Sequence, residues 1–156
     1  MARIIKPPTP FLSNDPLPSV FLAGSIDLGA AEDWQAQVED LFSDLDVLIL
    51  NPRRDEWDAS WEQSIDNLQF REQVEWELAA MESSTVVAMY FAQASKDPVT
   101  LLELGLCARA GRLVVCCPAG YWRRGNVQVV CQRYGVPLVE SLSELVAEVR
   151  RRFKDC

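Results

Sequence analysis

Five short apolar, β-rich runs alternate with five helix-period stretches along the chain, and that alternation limits the folds open to it. The runs are 19–23 (SVFLA), 47–50 (VLIL), 85–91 (TVVAMYF), 113–117 (LVVCC) and a short 137–139 (PLV). Helical patterns fall near 31–43, 70–81, 99–110, 127–134 and 141–153. Strands that lack a polar face are covered on both sides, and strands separated by helices run parallel. The spacing therefore predicts an α/β domain, a five-stranded parallel sheet between two helix layers. Five of the nine prolines crowd residues 1–18, which read as an extended lead-in rather than a regular element, with one domain over 19–156. A chain of 156 residues, 49% hydrophobic, has the material for one such core and buries roughly 70% of its unfolded surface.

Charge and composition remove whole classes of function. A net charge of -8 argues against a nucleic-acid polymer held by its phosphates. No apolar run is long enough for a membrane span, and the N-terminus lacks a signal-peptide pattern. The five cysteines show no CxxC spacing and read as small core residues in a reducing, cytoplasmic compartment. Histidine is absent, which removes Ser-His and Cys-His nucleophile pairs, His-ligated metals and imidazole acid–base work. The reading calls for no metal and no cofactor. Carboxylates are the chemical tools that remain.

In a parallel sheet all strands end on one edge, where ligands bind. The loops there are 24–29, 51–69, 92–97 and 118–126. Loop 51–69 (NPRRDEWDASWEQSIDNLQ) is long and carries Arg53, Arg54, Trp57 and Trp61. It reads either as an ordered lid presenting aromatic surface or as a surface loop whose tryptophans pack onto the domain.

Two helices each carry one carboxylate on an apolar face. In 96–111 (KDPVTLLELGLCARAG), helical spacing puts Glu103 with Val99, Leu106, Cys107 and Ala110. The helix opens at Asp97-Pro98, an N-cap followed by proline at the first helical position. In the preceding helix Glu77 shares a stripe with Phe70, Val74 and Met81, whereas Glu72, Glu75 and Glu82 fall opposite. An unpaired buried carboxylate costs several kcal/mol or gives up its charge. Either Arg53, Arg54 or Arg71 pairs with each glutamate, or the two glutamates with Asp97 form a carboxylate active site. Paired carboxylates suit an anomeric carbon, where one attacks and another protonates the leaving group.

The stretches FLAGSID, NPRRDEW, RRGNVQVVCQRYGVP and above all DPVTLLELG resemble the nucleoside 2-deoxyribosyltransferase superfamily, from about residue 20 to 146. The resemblance implies a flavodoxin-like (Rossmann-like) three-layer sandwich. It also implies cleavage of the N-glycosidic bond of a 2′-deoxynucleoside, with the sugar passed to another base or to water through a covalent intermediate. On that resemblance Glu103 matches the nucleophile and Asp97 the acidic residue that handles the base and its proton. Glu77 fills a position where many members carry aspartate. Asn126 matches the asparagine that reaches a neighbouring subunit's site to hold the sugar 5′-hydroxyl, and Gln128 falls where some members carry methionine. Gly24, Ser25, Ile26 and Asp27 match the loop lining the sugar pocket, and Arg53 and Trp57 lie in the loop after the second strand. Asp27 has the wrong charge for a phosphate and favours nucleosides over nucleotides, an inference that Arg53 and Arg54 reverse if they turn inward.

The implied partners are a nucleoside and a free nucleobase, with a homo-oligomer completing each site across its interface. A hydrolase releasing the base to water, and a non-catalytic nucleotide-binding module on the same fold, stay open as alternatives. A flavin carrier fits less well, because AGSIDLG lacks a Ser/Thr-rich phosphate nest.

Overall fold

A computed structural model describes residues 1–26 and 32–156. The first strand, β1, is Arg3–Ile5, inside the proline-rich lead-in. It is followed by β2 (Ser19–Gly24), α1 (Trp34–Leu41), β3 (Leu48–Leu50), α2 (Leu68–Ser83) and β4 (Val86–Tyr90). Then come α3 (Pro98–Cys107), β5 (Leu113–Cys116), α4 (Arg124–Tyr134), β6 (Leu138–Val139) and α5 (Leu142–Lys154). The strands form one six-stranded parallel sheet in the order β1-β3-β2-β4-β5-β6. The expected count of five is therefore corrected to six. The added strand pairs Arg3, Ile4 and Ile5 with Leu48, Ile49 and Leu50 at the sheet edge.

The layers follow from handedness. Crossovers between parallel strands are right-handed, so connections running in opposite directions along the sheet lie on opposite faces. The β2–β3 connection goes one way and puts α1 on one face, where α5 joins it. The β3–β4, β4–β5 and β5–β6 connections go the other way and put α2, α3 and α4 on the second face. The core divides accordingly. Val20, Leu22, Ile49, Ala88 and Val114 meet Trp34, Val38 and Leu145 on one side. Phe21, Leu50, Val87, Met89 and Val115 meet Trp76, Ala80, Leu104 and Val127 on the other. The architecture is Rossmann-like, and its strand order reverses between β2 and β4. There Gly24 pairs with Tyr90 at the ends of the two strands.

The lead-in is fastened down beyond its strand. Trp76 Nε1–H donates to the Thr9 carbonyl at 2.9 Å, and Phe11 packs edge-on against the same indole at 5.3 Å. Among the described residues no helix is long and apolar enough to cross a membrane. Cys107, Cys116, Cys117 and Cys131 are buried free thiols, and Cys156 is exposed.

Candidate active site

The switch point is closed by short-range hydrogen bonds between two loops. Gly24 has φ 152°, and a Cβ there would overlap the Tyr90 carbonyl and come within 2.9 Å of the Trp34 ring. Only glycine lets β2 end so close to β4. Ser25 follows, buried, its carbonyl accepting from Trp34 Nε1 at 3.1 Å. Trp34 in turn stacks on Tyr90, with centroids 5.0 Å apart. The Ala92 N–H is shared by Ser25 Oγ at 3.2 Å and Asp97 Oδ2 at 3.0 Å. Ser95 Oγ donates to the other Asp97 oxygen at 2.6 Å. Ile26 is half-buried beside this knot, and Asp27 lies outside the described residues.

Asp97 departs from the expected capping role. It stands at the N-cap of α3, but with φ 49° and no capping hydrogen bond from its side chain. Its carboxylate is turned into the β4–α3 loop instead. Left-handed backbone is costly for any residue but glycine, least so for Asp and Asn, and two hydrogen bonds to a buried carboxylate offset that cost. The loop is held further by Tyr121 Oη, which donates to the Lys96 carbonyl at 2.6 Å.

Glu103 points inward from α3, with 7% of its surface exposed. Its companions are Thr100, Leu104 and Cys107, whereas Val99, Leu102 and Leu106 are each more than half exposed. The expected grouping with Val99 and Leu106 is thus corrected. Glu103 lies about 60° round the helix from Thr100, at the margin of the buried arc rather than its centre. Likewise α2 buries Gln73, Trp76, Ala80 and Met81, and Glu77 sits half-buried at the edge of that face.

The two glutamates answer each other electrostatically. Burial pushes Glu77 up to about 7, against the lowering effect of a 2.9 Å hydrogen bond from Gln73 Nε2. Burial pushes Glu103 up to about 8, and the nearby Glu77 charge adds to the rise. No arginine neutralises either. Arg53 lies 3.5 Å from Asp33, Arg54 pairs with Glu72 at 3.1 Å and Arg71 with Glu75 at 2.9 Å. Glu103 Oε2 is buried without a hydrogen-bond partner. Of the two readings the sequence left open, the buried arginine network is absent among the described residues. Both carboxyls are pushed up toward neutral pH, the range in which a side chain is suited to proton transfer.

Gln73 is the residue that sequence reasoning missed. Its side-chain amide donates both to Glu77 and to the Pro52 carbonyl at 2.8 Å, tying the carboxylate pair to the loop after β3. The only signal was a polar residue one turn before Trp76 on the buried face. Within that loop Trp57 and Trp61 pack edge-to-face at 5.0 Å, and the Arg54 guanidinium lies 4.9 Å over Trp61. Asn126 and Gln128 are exposed on α4. Asn126 shares a cleft of about 290 Å³ between α3 and α4 with Leu101, Leu104, Gly105, Arg123 and Val130. A Cβ on Gly105 would meet nothing within 4 Å, so close helix–sheet packing does not explain that glycine.

Residues 17–121 match the family model described as nucleoside 2-deoxyribosyltransferase like, which is more than half of the chain. The chain belongs to that family. The match takes in the β2 loop, the β3 loop, Glu77, Asp97 and Glu103, and it ends at Tyr121, before Asn126 and Gln128. None of the curated proteins matches the chain.

Proposed function

We propose that the protein cleaves the N-glycosidic bond of 2′-deoxynucleosides and transfers the deoxyribosyl group to another nucleobase, through a covalent glycosyl ester on Glu103. The observation that carries this reading is the Glu103–Glu77 pair, one carboxyl buried and the other half-buried, without a counter-cation among the described residues and carried by the two helices that flank β4. Membership of a transferase-like family supports it.

In the reacting state the pair holds one proton. Glu103 attacks C1′ as the anion, and the glycosidic electron pair leaves with the base nitrogen. Positive charge gathering on the sugar stabilises the adjacent carboxylate and offsets the burial that disfavours it. Glu77 holds the proton and gives it to the departing base. An incoming base returns the proton to Glu77 as its nitrogen displaces Glu103 from the sugar. We assign the proton to Glu77 rather than Asp97 because both Asp97 oxygens already accept hydrogen bonds within their own loop. Asp97 then orients the base at the mouth of α3.

The proposal includes a homo-oligomer. The outer face of α3 exposes Val99, Leu102 and Leu106, and Val129 on α4 and Trp122 in the loop before it are exposed as well. A helix apolar on all sides suits a buried position, and a second copy laid over α3 and α4 would cover these residues and engage Asn126. The chemistry is tested with a 2-fluorinated deoxyribosyl substrate, which should leave sugar attached to Glu103 by intact mass and peptide mapping. An active enzyme that carries no adduct, or carries it elsewhere, excludes the glycosyl ester. Incubation with and without a free acceptor base separates transfer from hydrolysis.

A further inference from the structure

Gln73 commits both hydrogens of its side-chain amide and leaves the amide oxygen with nothing. Nε2 donates to the Pro52 carbonyl at 2.8 Å and to Glu77 Oε1 at 2.9 Å. The residue is buried, and its own Oε1 has no hydrogen-bond partner. An unmet buried acceptor is costly. Turning the amide over would not relieve it, because a carbonyl oxygen would then face the Pro52 carbonyl. A backbone carbonyl only accepts, so Pro52 decides which end of the amide is which.

That carbonyl is itself a fixed point. Asn51 is buried, and its N–H donates to the Ile5 carbonyl at 3.0 Å. Asn51 Oδ1 accepts the Arg53 N–H at 2.9 Å, which closes a turn over Pro52, and the proline ring restricts the backbone inside it. One amide thus links the sheet edge to Glu77, a single helical turn further along α2. Among the described residues Gln73 is the one hydrogen-bond partner of the Glu77 carboxyl. Glu103 of α3 is the ionisable group close enough for the two charges to interact, and Arg53 and Arg54 of the loop after β3 lie against Asp33 and Glu72.

We propose that Gln73 is a positioning residue for proton transfer: its N–H occupies Glu77 Oε1 and so reserves Oε2 for the proton that passes to the departing base and returns from the incoming one. This rests on the glycosyl-transfer reading. In a neutral carboxyl the oxygen that accepts an N–H is the carbonyl oxygen, so the O–H is on the other. When that O–H bond breaks, its electron pair stays on Glu77. The proton joins the base nitrogen, which carries away the glycosidic electron pair. The bond from Gln73 then becomes charge-assisted and roughly twice as strong. A contact that strengthens as the base leaves favours the transition state over the ground state.

Gln73→Met keeps the length of the side chain and removes both N–H groups. With natural substrates kcat should fall about 10-fold at nearly constant KM, and a substrate whose leaving group needs no proton should be spared. The high-pH limb of kcat, set by loss of the Glu77 proton, should move up by about one pH unit, since the bond from Gln73 holds Glu77 below where burial alone would put it. Gln73→Glu, with a single O–H for two acceptors, should move the limb the same way and serves if urea unfolding shows Gln73→Met misfolded. Infrared titration reads the bond without catalysis, with Glu77→Gln identifying the Glu77 carbonyl band. In Gln73→Met that band should rise in wavenumber and titrate at higher pH. Equal losses on both substrate kinds, or a loss confined to KM, reduce Gln73 to a structural tether and overturn the proposal. If cleavage proceeds with limb and band unmoved, glycosyl transfer stands and the positioning role falls. If the wild type cleaves no nucleoside while the band still moves with Gln73, the hold on Glu77 stands and the glycosyl-transfer reading falls.

Discussion

Replacing Glu103 by glutamine removes the acid and keeps its shape, and the pH dependence of stability reports directly on the buried pair. In the unfolded chain a glutamate titrates near its ordinary value, about 4.3. In the fold Glu103 is pushed up to about 8 by burial and by Glu77. Between those values the folded state binds a proton that the unfolded state has lost. The slope of stability with pH is then negative, and stability falls as pH rises until Glu103 ionises in both states. Each pH unit inside the window is worth about 1.4 kcal/mol. From pH 5 to pH 8 the wild type should therefore lose up to roughly 4 kcal/mol relative to Glu103→Gln, and ~2 kcal/mol if the site admits water on ionising. Urea unfolding of both proteins at pH 5, 6.5 and 8 measures this as a gap that opens with pH. The variant should also have lost glycosidic cleavage, so that stability gained and activity lost come from one carboxylate. Parallel stability curves across that range would falsify the buried, unpaired assignment, whatever the activity result.

Glu77→Gln should slow cleavage of natural substrates at least about 100-fold, and much less where the leaving group needs no proton; equal losses on both substrate kinds would remove Glu77 as the proton donor. Asp97→Asn should slow both kinds alike, because it disturbs the loop rather than the proton, and selective rescue by an activated leaving group would return the acid role to Asp97. Gly24→Ala should cost about 2 kcal/mol or more in thermal or urea unfolding, since a Cβ there meets the Tyr90 backbone and Trp34; an unchanged midpoint would mean that the β2–β4 closure is loose. Glu103→Ala and Asn126→Ala proteins, each inactive alone, should regain part of their activity when mixed and reassembled. A fully active monomer in light scattering would place Asn126 in its own chain's site or in none.

The central sheet was legible because strands covered on both faces are apolar nearly throughout, and in SVFLA, VLIL and LVVCC the one polar residue is Ser19, at a strand start. Arg3–Ile5 was not legible. Three residues at a sheet edge need only one partner, and nothing in RII separates a paired strand from an extended lead-in among prolines. The site was legible where charge broke an apolar pattern, as at Glu103, and illegible where a neutral polar side chain did the connecting, as at Gln73. Direction was the harder matter. Helix α3 is apolar on nearly every side, so periodicity had no polar face from which to locate its inward one, and it grouped Glu103 with Val99 and Leu106, which face out. The turn of Asp97 into its own loop depends on Ser95 and Ala92, contacts that no spacing along the helix encodes. The misgrouping is itself informative. A helix that must satisfy two apolar environments loses the amphipathic signal of one that meets water, and α3 is such a helix only if its outer face is also covered. The carboxylate at the margin of its inner arc then lies on the side turned toward that cover, next to the exposed face rather than away from it. If the proposed second copy covers that face, it excludes water from the proposed sugar ester on Glu103, and the proposals of an oligomer and of transfer over hydrolysis then stand or fall together.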